Sequence, residues 1–393
     1  MRVLLITDWM ALRGGVETHV SLVRDGLRAE GDEVRLLTST AGSPAEESDY
    51  LAYGTDRVAA QALLQVVNPS AVARLRSVLR EFRPDVAQVH MFAMHLSPAI
   101  FGPLRSVPTV LVVSDYKPVC PTSWKLLPDG SRCTEPAGLV CWRKGCTSLP
   151  HWLRDRPRYA LIRNGLRRVD RVLACSRSVQ GELSNEGIES QVVNLPVPSP
   201  GPGYRRQPAP EPVFVYCGRL SEEKGLALML RAFARLSQGS PAARLRLVGT
   251  GPERPRLERL ASELGFGEAV SFRGWVRPDR VERELVDAWA LVAPSLHAEP
   301  LGLVAIEALV RGVPVIASAT GGFAETVRDG VSGLLFANGD EEGLLRSLEA
   351  VANRRAFPTQ RVPDEVVRRV SEAHDLERHV RRVRRIHGEV VTG

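Results

Sequence analysis

Short β-branched apolar runs alternate with longer amphipathic stretches along most of the chain. In the first half, "RVLLIT" (2–7), "EVRLLTS" (33–39), "DVAQVH" (85–90), "TVLVVS" (109–114) and "RVLACS" (171–176) have the length and composition of strands. Between the first two, Val16, Val20, Val23 and Leu27 recur at helical spacing, and Gly31 follows as a stop. Strand–helix alternation of this kind predicts a parallel sheet covered by helices on both faces. Residues 196–212 are dense in Pro and Gly and read as a linker. The alternation then restarts with "VFVYCG", "RLRLVG", "AVSFRG", "ALVAPS" and "VPVIAS", separated by helical patterns near 225–238, 253–264, 279–289 and 303–311. The expected architecture is α/β: two Rossmann-like, doubly wound parallel-sheet domains, 1–195 and 213–365, facing a cleft. A helical segment is expected over 366–393. Ligands of such sheets bind at the carboxyl ends of the strands, so the strand–helix loops are where chemistry is expected.

Composition narrows the partners. A chain of 393 residues with 44% hydrophobic content is too long for one ordinary core, which fits two domains. No apolar run approaches the roughly 20 residues that span a bilayer. Met1-Arg2 leads straight into "VLLIT" and then Asp8, so no signal peptide is read and a soluble, cytoplasmic protein is expected. The net charge is +7, and the 52 basic side chains are 48 Arg and four Lys, scattered over both halves. A diffuse positive field suits anionic small molecules or acidic membrane surfaces. Without an aromatic-interleaved basic patch it argues against nucleic acid. The densest basic stretch, "RHVRRVRRI" at 378–386, reads as a solvated helix face, with peripheral membrane contact as the other reading.

Four loops could carry chemistry. In "YCGRLSEEKG" (216–225) a strand ends and a helix begins. Gly218 allows a tight turn, and Arg219 and Lys224 offer two cations beside a helix N-terminus, a fitting site for a pyrophosphate. Lys224 is the only Lys after residue 144, which weighs against a casual surface charge. "VGTGPE" repeats the strand–turn–helix form with Gly249 and Gly251, and "LRGGVE" does so in the first half with Gly14 and Gly15. Each also reads as an ordinary tight turn. "LHAEPLGLVAIEA" places Glu299 in a loop and Glu307 inside the following helix. Glycosidase carboxylates lie about 5–9.5 Å apart across one bond. The loop–helix junction argues against that pairing here, and for two carboxylates gripping different parts of one ligand.

"GRLSEEKG", "GTGP", "EPLGLVAIEA" and "GGFAE", in that order, together with "GGVETHV" near the N-terminus, resemble the retaining glycosyltransferases of family four, with the GT-B fold and an E-x7-E motif. The resemblance covers nearly the whole chain. It implies transfer of a hexosyl or N-acetylhexosaminyl group from a nucleotide-diphosphate sugar, such as a UDP-sugar, to a hydroxyl of a small-molecule, lipid or glycan acceptor. The first domain would bind the acceptor and the second the nucleotide sugar, and the last helix would pack back toward the first domain. Arg219 and Lys224 would neutralise the donor diphosphate without a metal or other required cofactor. Glu299, with backbone N–H groups of Gly302, Leu303 and Val304, would hold the transferred sugar, and Glu307 the ribose. Residues around Val276 would line the base pocket. Gly14, Gly15, Gly218, Gly251, Pro300 and Leu301 would complete the donor site. In one respect the chain departs from the family: Ser114 precedes Asp115 where a His is common. His90 becomes a candidate for part of that role, and Ser114 and Asp115 remain candidate acceptor or sugar contacts. A sugar phosphorylase, a nucleotide-sugar epimerase and a non-catalytic nucleotide-sugar-binding protein are the alternatives.

Residues 116–148 form a Cys-rich insertion. Cys120, Cys133, Cys141 and Cys146 cluster there with spacings that match no common zinc module. Structural zinc, disulfides and free thiols are all open. Cys175 and Cys217 end strands and read as small buried apolar residues.

Overall fold

The computed structural model describes residues 1–10, 14–41 and 48–393. The chain divides into two compact units, Met1–Pro196 with Leu376–Gly393, and Val197–Asp375.

The first unit is built on a seven-stranded parallel sheet in the order β3-β2-β1-β4-β5-β6-β7. Its strands are β1 (Arg2–Ile6), β2 (Glu33–Ser39), β3 (Tyr50–Ala52), β4 (Val86–Val89), β5 (Thr109–Val113), β6 (Arg171–Ala174) and β7 (Gln191–Val192). Its helices are α1 (Gly15–Ala29), α2 (Val58–Leu64), α3 (Pro69–Phe82), α4 (Leu139–Arg143), α5 (Leu149–Leu166), α6 (Arg177–Asn185) and, from the end of the chain, α14 (Leu376–Thr392). β4 and β5 are buried at every position, the signature of a sheet covered on both faces.

The second unit repeats the plan with a six-stranded parallel sheet, β10-β9-β8-β11-β12-β13. These strands are β8 (Val213–Cys217), β9 (Arg244–Val248), β10 (Val270–Gly274), β11 (Ala290–Ala293), β12 (Val315–Ser318) and β13 (Gly333–Phe336). The helices are α7 (Leu226–Gly239), α8 (Arg254–Glu263), α9 (Val281–Leu285), α10 (Leu303–Leu309), α11 (Gly322–Thr326), α12 (Glu341–Ala352) and α13 (Asp364–Ala373). One core, around Phe214, Met229, Phe233, Leu247 and Leu348, fills one face of this sheet. A second, around Val215, Leu291, Ala305, Leu309 and Phe323, fills the other.

Three features differ from the sequence expectation. The Pro/Gly-rich stretch is laid onto the second unit: Gln207 N donates to Val286 O (3.0 Å), Ala209 N to Asp287 O (3.0 Å) and Arg206 to Gly312 O (2.6 Å). Residues 366–393 are two helices, broken at His374 and Asp375, of which α13 belongs to the second unit and α14 to the first. The basic stretch at 378–386 is largely paired. Arg384 bonds Glu30 and Asp32, Arg382 donates to Val192 O, and Arg381 pairs with Glu377 along the helix. No helix among the described residues is long and apolar enough to cross a membrane.

The Cys-rich insertion is also built differently from a zinc knuckle. Its four cysteines are free thiols, Cys120 and Cys141 buried and Cys133 and Cys146 partly so. Among the described residues no group of three or more metal-ligating side chains is placed to hold an ion, so the zinc expectation is corrected. Burial raises the Cys141 and Cys146 thiols, with the neighbouring cysteines adding to it. Charge holds the insertion together instead. Lys125 Nζ lies 2.8 Å from Glu182 Oε2, with 2% and 3% of the two side chains exposed, and also donates to Glu135 O (2.8 Å). Arg132 shares Glu182, and Arg163 meets Glu186 at 2.9 Å.

Gly26 shows how α14 is seated. It sits in the middle of α1, where Gly costs about 1 kcal/mol relative to Ala. A Cβ there would come within 2.5 Å of Val380 Cγ2 on α14. Val380, Val383, Ile386 and His387 are all buried. Gly26→Ala therefore gains helix propensity but overpacks the α1–α14 contact, and a net loss of about 1–2 kcal/mol is expected in urea unfolding. Adding Val380→Ala should return part of that loss. Stabilisation by Gly26→Ala alone would show that α14 does not pack so closely.

Candidate functional site

Both sheets reverse their strand order at one point, between β1 and β4 and between β8 and β11. Loops leaving the carboxyl ends of two such strands turn to opposite sides and leave a crevice between them. The sequence-derived candidates fall largely on these loops.

In the second unit the β8 loop supplies Gly218, Arg219 and Lys224, and the β11 loop supplies Glu299. Gly225 (φ 69°) lets the two loops touch: a Cβ there would lie 2.0 Å from Pro294 O. Leu296 N donates to Glu223 O (2.8 Å) and ties the loops together. The result is a tight polar cluster. Lys224 Nζ lies 2.7 Å from Glu299 Oε2 and 3.2 Å from His297 Nε2, His297 Nε2 lies 3.1 Å from the same carboxylate oxygen, and Ser295 Oγ donates to it at 3.1 Å. Burial alone would raise the Glu299 carboxyl, but the Lys224 ammonium and the His297 contact outweigh it and hold the group well below the ordinary carboxylate range. The loop behind is fixed as well. Gly322 N donates to Glu299 O (2.6 Å), and Gly321 (φ 56°) packs so closely that a Cβ would meet Glu299 O at 2.2 Å. "GGFAE" thus braces the carboxylate loop. Gly251 plays a similar part, since a Cβ there would lie 2.2 Å from Leu220 O.

Arg219 is exposed, and its side chain has no hydrogen-bond or ion-pair partner among the described residues. Gly302 (φ 78°) begins α10, leaving the N–H groups of Leu303 and Val304 at the helix start. Pro300 and Leu301 lie between Glu299 and that start, Leu301 buried. Val276 packs on the core beyond β10, while neighbouring Trp275 is 49% exposed.

Glu307 is in a different environment from Glu299. Burial pushes its carboxyl up to about 7, and Arg311 is the one charge pulling it down. Arg311 is itself engaged, donating to Glu307 O and pairing with Glu282. Glu307 also adds to the rise in the Cys217 thiol, which burial dominates, so its carboxyl sits near the end of β8.

In the first unit, Asp8 beyond β1 accepts from Met94 N, His95 N and Leu96 N, each at 2.8 Å, and so fastens the loop after β4. Asp115 beyond β5 accepts from Lys117 N (2.9 Å). Burial raises both carboxyls, and Asp8 adds to the effect on Asp115. Burial lowers Lys117 to about 8, with Arg158 adding to it. Ser114 is partly exposed beside Asp115. Gly14 caps α1 and Gly15 is its first residue, with Arg13 just before them outside the described residues. His90 follows β4, where the sequence placed it, and is buried. It lies in a buried cluster, 5.3 Å ring to ring from His19, with its Nε2 2.9 Å from Gln88 Nε2, and His19 stacks in turn on His379 of α14. This enclosure among interior rings argues against a ligand contact.

Sequence reading missed His297, Ser295, Asp8 and Lys117. His297 stood inside the stretch already singled out. Asp8 gave a signal too, as a lone carboxylate ending an apolar strand.

Two parallel-sheet units of this order have the architecture of the GT-B fold. Residues 13–197 match the sequence family Glycosyltransferase Family 4, and residues 205–365 match Glycosyl transferases group 1. Each match covers less than half of the chain, and together they support a glycosyltransferase with the GT-B fold. Over 153 residues it is 37% identical to the lipopolysaccharide core biosynthesis glycosyltransferase LpsE of Rhizobium meliloti, covering 39% of this chain and 43% of that one. It is 26% identical to the sulfoquinovosyl transferase SQD2 of Arabidopsis thaliana over 91% of this chain and 67% of the relative. The chain spans 43% of the length of LpsE and 34% of that of a D-inositol 3-phosphate glycosyltransferase of Geodermatophilus obscurus, to which it is 40% identical over 152 residues. Among solved structures, sucrose-phosphate synthase from Thermosynechococcus elongatus superposes with TM-score 0.78 at 21% identity over the whole of both chains. HepE of Anabaena in complex with UDP-glucose does so with TM-score 0.70 at 17% identity, over 99% of this chain and 100% of that one.

The raised Glu307 carboxyl has a stability consequence. The unfolded chain ionises this group near 4.5, and the folded chain near 7. Stability is therefore full below about pH 4.5 and is lost as pH rises through about 7. Glu307→Gln is neutral throughout. It should raise Tm at pH 8.5, at roughly 2–4 °C per kcal/mol for a unit of this size, and leave Tm near pH 4.5 almost unchanged. Calorimetric scans at the two pH values check this, and a gain of equal size at both would contradict it.

Proposed function

We propose that the protein transfers a hexosyl group from a nucleotide-diphosphate sugar to an acceptor hydroxyl, with retention of anomeric configuration and no catalytic metal. The observation that carries this reading is the Lys224–Glu299 pair at the β8–β11 switch point, steadied by His297 and Ser295. A diphosphate brought to this crevice competes with Glu299 for Lys224 and finds Arg219 free beside it. Cations already in place where negative charge develops on the leaving phosphate lower the barrier without reorganisation. Glu299, relieved of the ammonium, accepts hydrogen bonds from hydroxyls of the transferred sugar, with the Leu303 and Val304 N–H groups nearby. Glu307 takes the ribose hydroxyls, and Gly218, Pro300, Leu301 and Val276 complete the donor's surroundings. The acceptor hydroxyl attacks from the face the diphosphate leaves, and a phosphate oxygen takes its proton.

The UDP-glucose complex of HepE supports a uridine diphosphate sugar as the donor class. LpsE, a lipopolysaccharide core biosynthesis glycosyltransferase, and SQD2, a sulfoquinovosyl transferase, support glycosyl transfer and leave the acceptor open among small molecules, lipids and glycans. The first unit, with Ser114 and Asp115 at the end of β5, is read as the acceptor side.

Lys224→Ala should reduce transfer from a panel of nucleotide sugars by about 10²–10³-fold and shrink the thermal stabilisation given by UDP. Glu299→Gln should cost transfer to a similar degree and enlarge the UDP-induced shift, because it removes the sugar contact together with the carboxylate that competes with the diphosphate for Lys224. Near wild-type turnover in either variant overturns the assignment. Turnover of the donor with free phosphate, or without any acceptor, would point instead to a phosphorylase or an epimerase.

A further inference from the structure

A cavity of about 350 Å³ opens in the first unit between the Cys-rich insertion and α5, with Pro121, Leu139, Thr147, Trp152, Arg156 and Tyr159 among its walls. Its shape is fixed. Trp152 Nε1 donates to Gly138 O at 3.0 Å, Tyr159 OH donates to Lys117 O at 3.2 Å, and Thr147 N donates to Cys141 O at 3.1 Å. Within this mostly apolar lining one polar atom is enclosed and unused: Thr147 Oγ1 has no hydrogen-bond partner among the described residues. A buried hydroxyl in that state is unfavourable until something bonds to it. At the mouth, the Arg156 guanidinium lies 5.9 Å from the Trp152 ring centre. Leu139, Trp142 and Leu153 stand 39%, 39% and 53% exposed on the surrounding surface.

The cavity is joined to the candidate acceptor side by one residue. Lys117 N donates to Asp115 Oδ1 (2.9 Å), its Nζ donates to Pro121 O in the cavity wall (3.0 Å), and its carbonyl accepts from Tyr159 OH in the opposite wall (3.2 Å). The lining chemistry decides the class of occupant. A sugar ring needs several hydrogen-bonding groups, whereas of the charged side chains in this mostly apolar lining Asp155 is paired with Arg154 and Arg163 with Glu186, leaving Arg156 and the Thr147 hydroxyl. A volume at the lower end of small-molecule sites suits a compact ring system better than a long chain.

We propose that this cavity is an aglycone subsite, taking a one- or two-ring, mostly apolar group whose hydroxyl or carbonyl bonds Thr147, and so setting the acceptor beside Asp115. The proposal rests on the glycosyl-transfer reading for its acceptor role, but its binding step can be measured without turnover.

The probe is 2-naphthol, followed by titration calorimetry and by Trp fluorescence on the full chain. Saturable one-site binding is expected. Thr147→Phe, which fills the cavity, should weaken it by about tenfold or more, and Thr147→Val, which keeps the shape and removes the hydroxyl, by a few-fold. Neither should alter the UDP-induced thermal shift, which reports on the second unit. If Thr147→Phe fails to fold, Leu139→Trp at the half-exposed rim supplies the same block. Affinity for 2-naphthol within about twofold of wild type in both Thr147→Phe and Leu139→Trp overturns the proposal. Thr147-dependent binding of methyl glucoside, or of dodecylphosphocholine, in place of 2-naphthol overturns it in favour of a glycan or a lipid subsite. Thr147-dependent 2-naphthol binding with no turnover of any nucleotide sugar would keep the cavity and reject the glycosyl-transfer reading. Full turnover without such binding would do the reverse.

Discussion

The polar groups of the candidate site converge because each parallel sheet reverses its strand order once. β8 and β11 are neighbours in space though two strands, β9 and β10, separate them along the chain. Their following segments must therefore cross to opposite faces, and the loops at their carboxyl ends part. Lys224 and Glu299 are 75 residues apart in sequence and 2.7 Å apart in space for this reason. Small residues then let the loops close in: Gly225 against the carbonyl of Pro294, and Gly321 against the backbone of Glu299. The first unit uses the same reversal between β1 and β4, and there Asp8 fills the gap by accepting three consecutive backbone N–H groups.

One buried and two partly buried carboxylates illustrate how surroundings decide what a carboxylate can do. Asp8 is consumed by the backbone and serves structure. Glu299 has an ammonium, an imidazole and a hydroxyl on a single oxygen, and is held ionised. Glu307 has one cationic neighbour that is already shared with Glu282, and its carboxyl titrates near neutrality. The last arrangement is costly for folding above neutral pH, and a helix position flanked by Ile306 and Ala308 offers no packing reason for a carboxylate.

The parallel strands were legible because a strand buried on both faces is a continuous apolar run: "TVLVV" and "VFVYC" need no alternation to declare themselves. β3, β7 and β13 were not, since pieces of three, two and four residues at sheet edges carry too little pattern. Arg219, Lys224, Glu299 and Glu307 were visible through loop position and charge, whereas His297 in an irregular loop has no period to betray it. Composition misled twice. Pro and Gly between residues 196 and 212 signalled a free linker, but backbone hydrogen bonds pin that stretch to the second unit. Clustered cysteines suggested a metal, but the fold of the insertion depends on Lys125 meeting Glu182 across 57 residues, which no spacing rule detects.

The resting pair of Lys224 and Glu299 also bears on selectivity in the proposed reaction. Taking one partner from a buried ion pair is expensive because the other charge is left uncompensated. An anion without a sugar would engage Lys224 and leave Glu299 to His297 and Ser295 alone. A free sugar would engage Glu299 and leave the ammonium of Lys224 without its carboxylate. Only a ligand that carries phosphate charge and sugar hydroxyls at the right separation replaces both contacts at once. The pair thus discriminates against each half of a nucleotide sugar while keeping both groups ordered before it binds. His297 fits this exchange, since its Nε2 stands within 3.2 Å of each partner and can donate to the carboxylate once the ammonium has turned to the diphosphate. In that sense the same short contact that stabilises the ligand-free loops is what makes the site demand a complete donor.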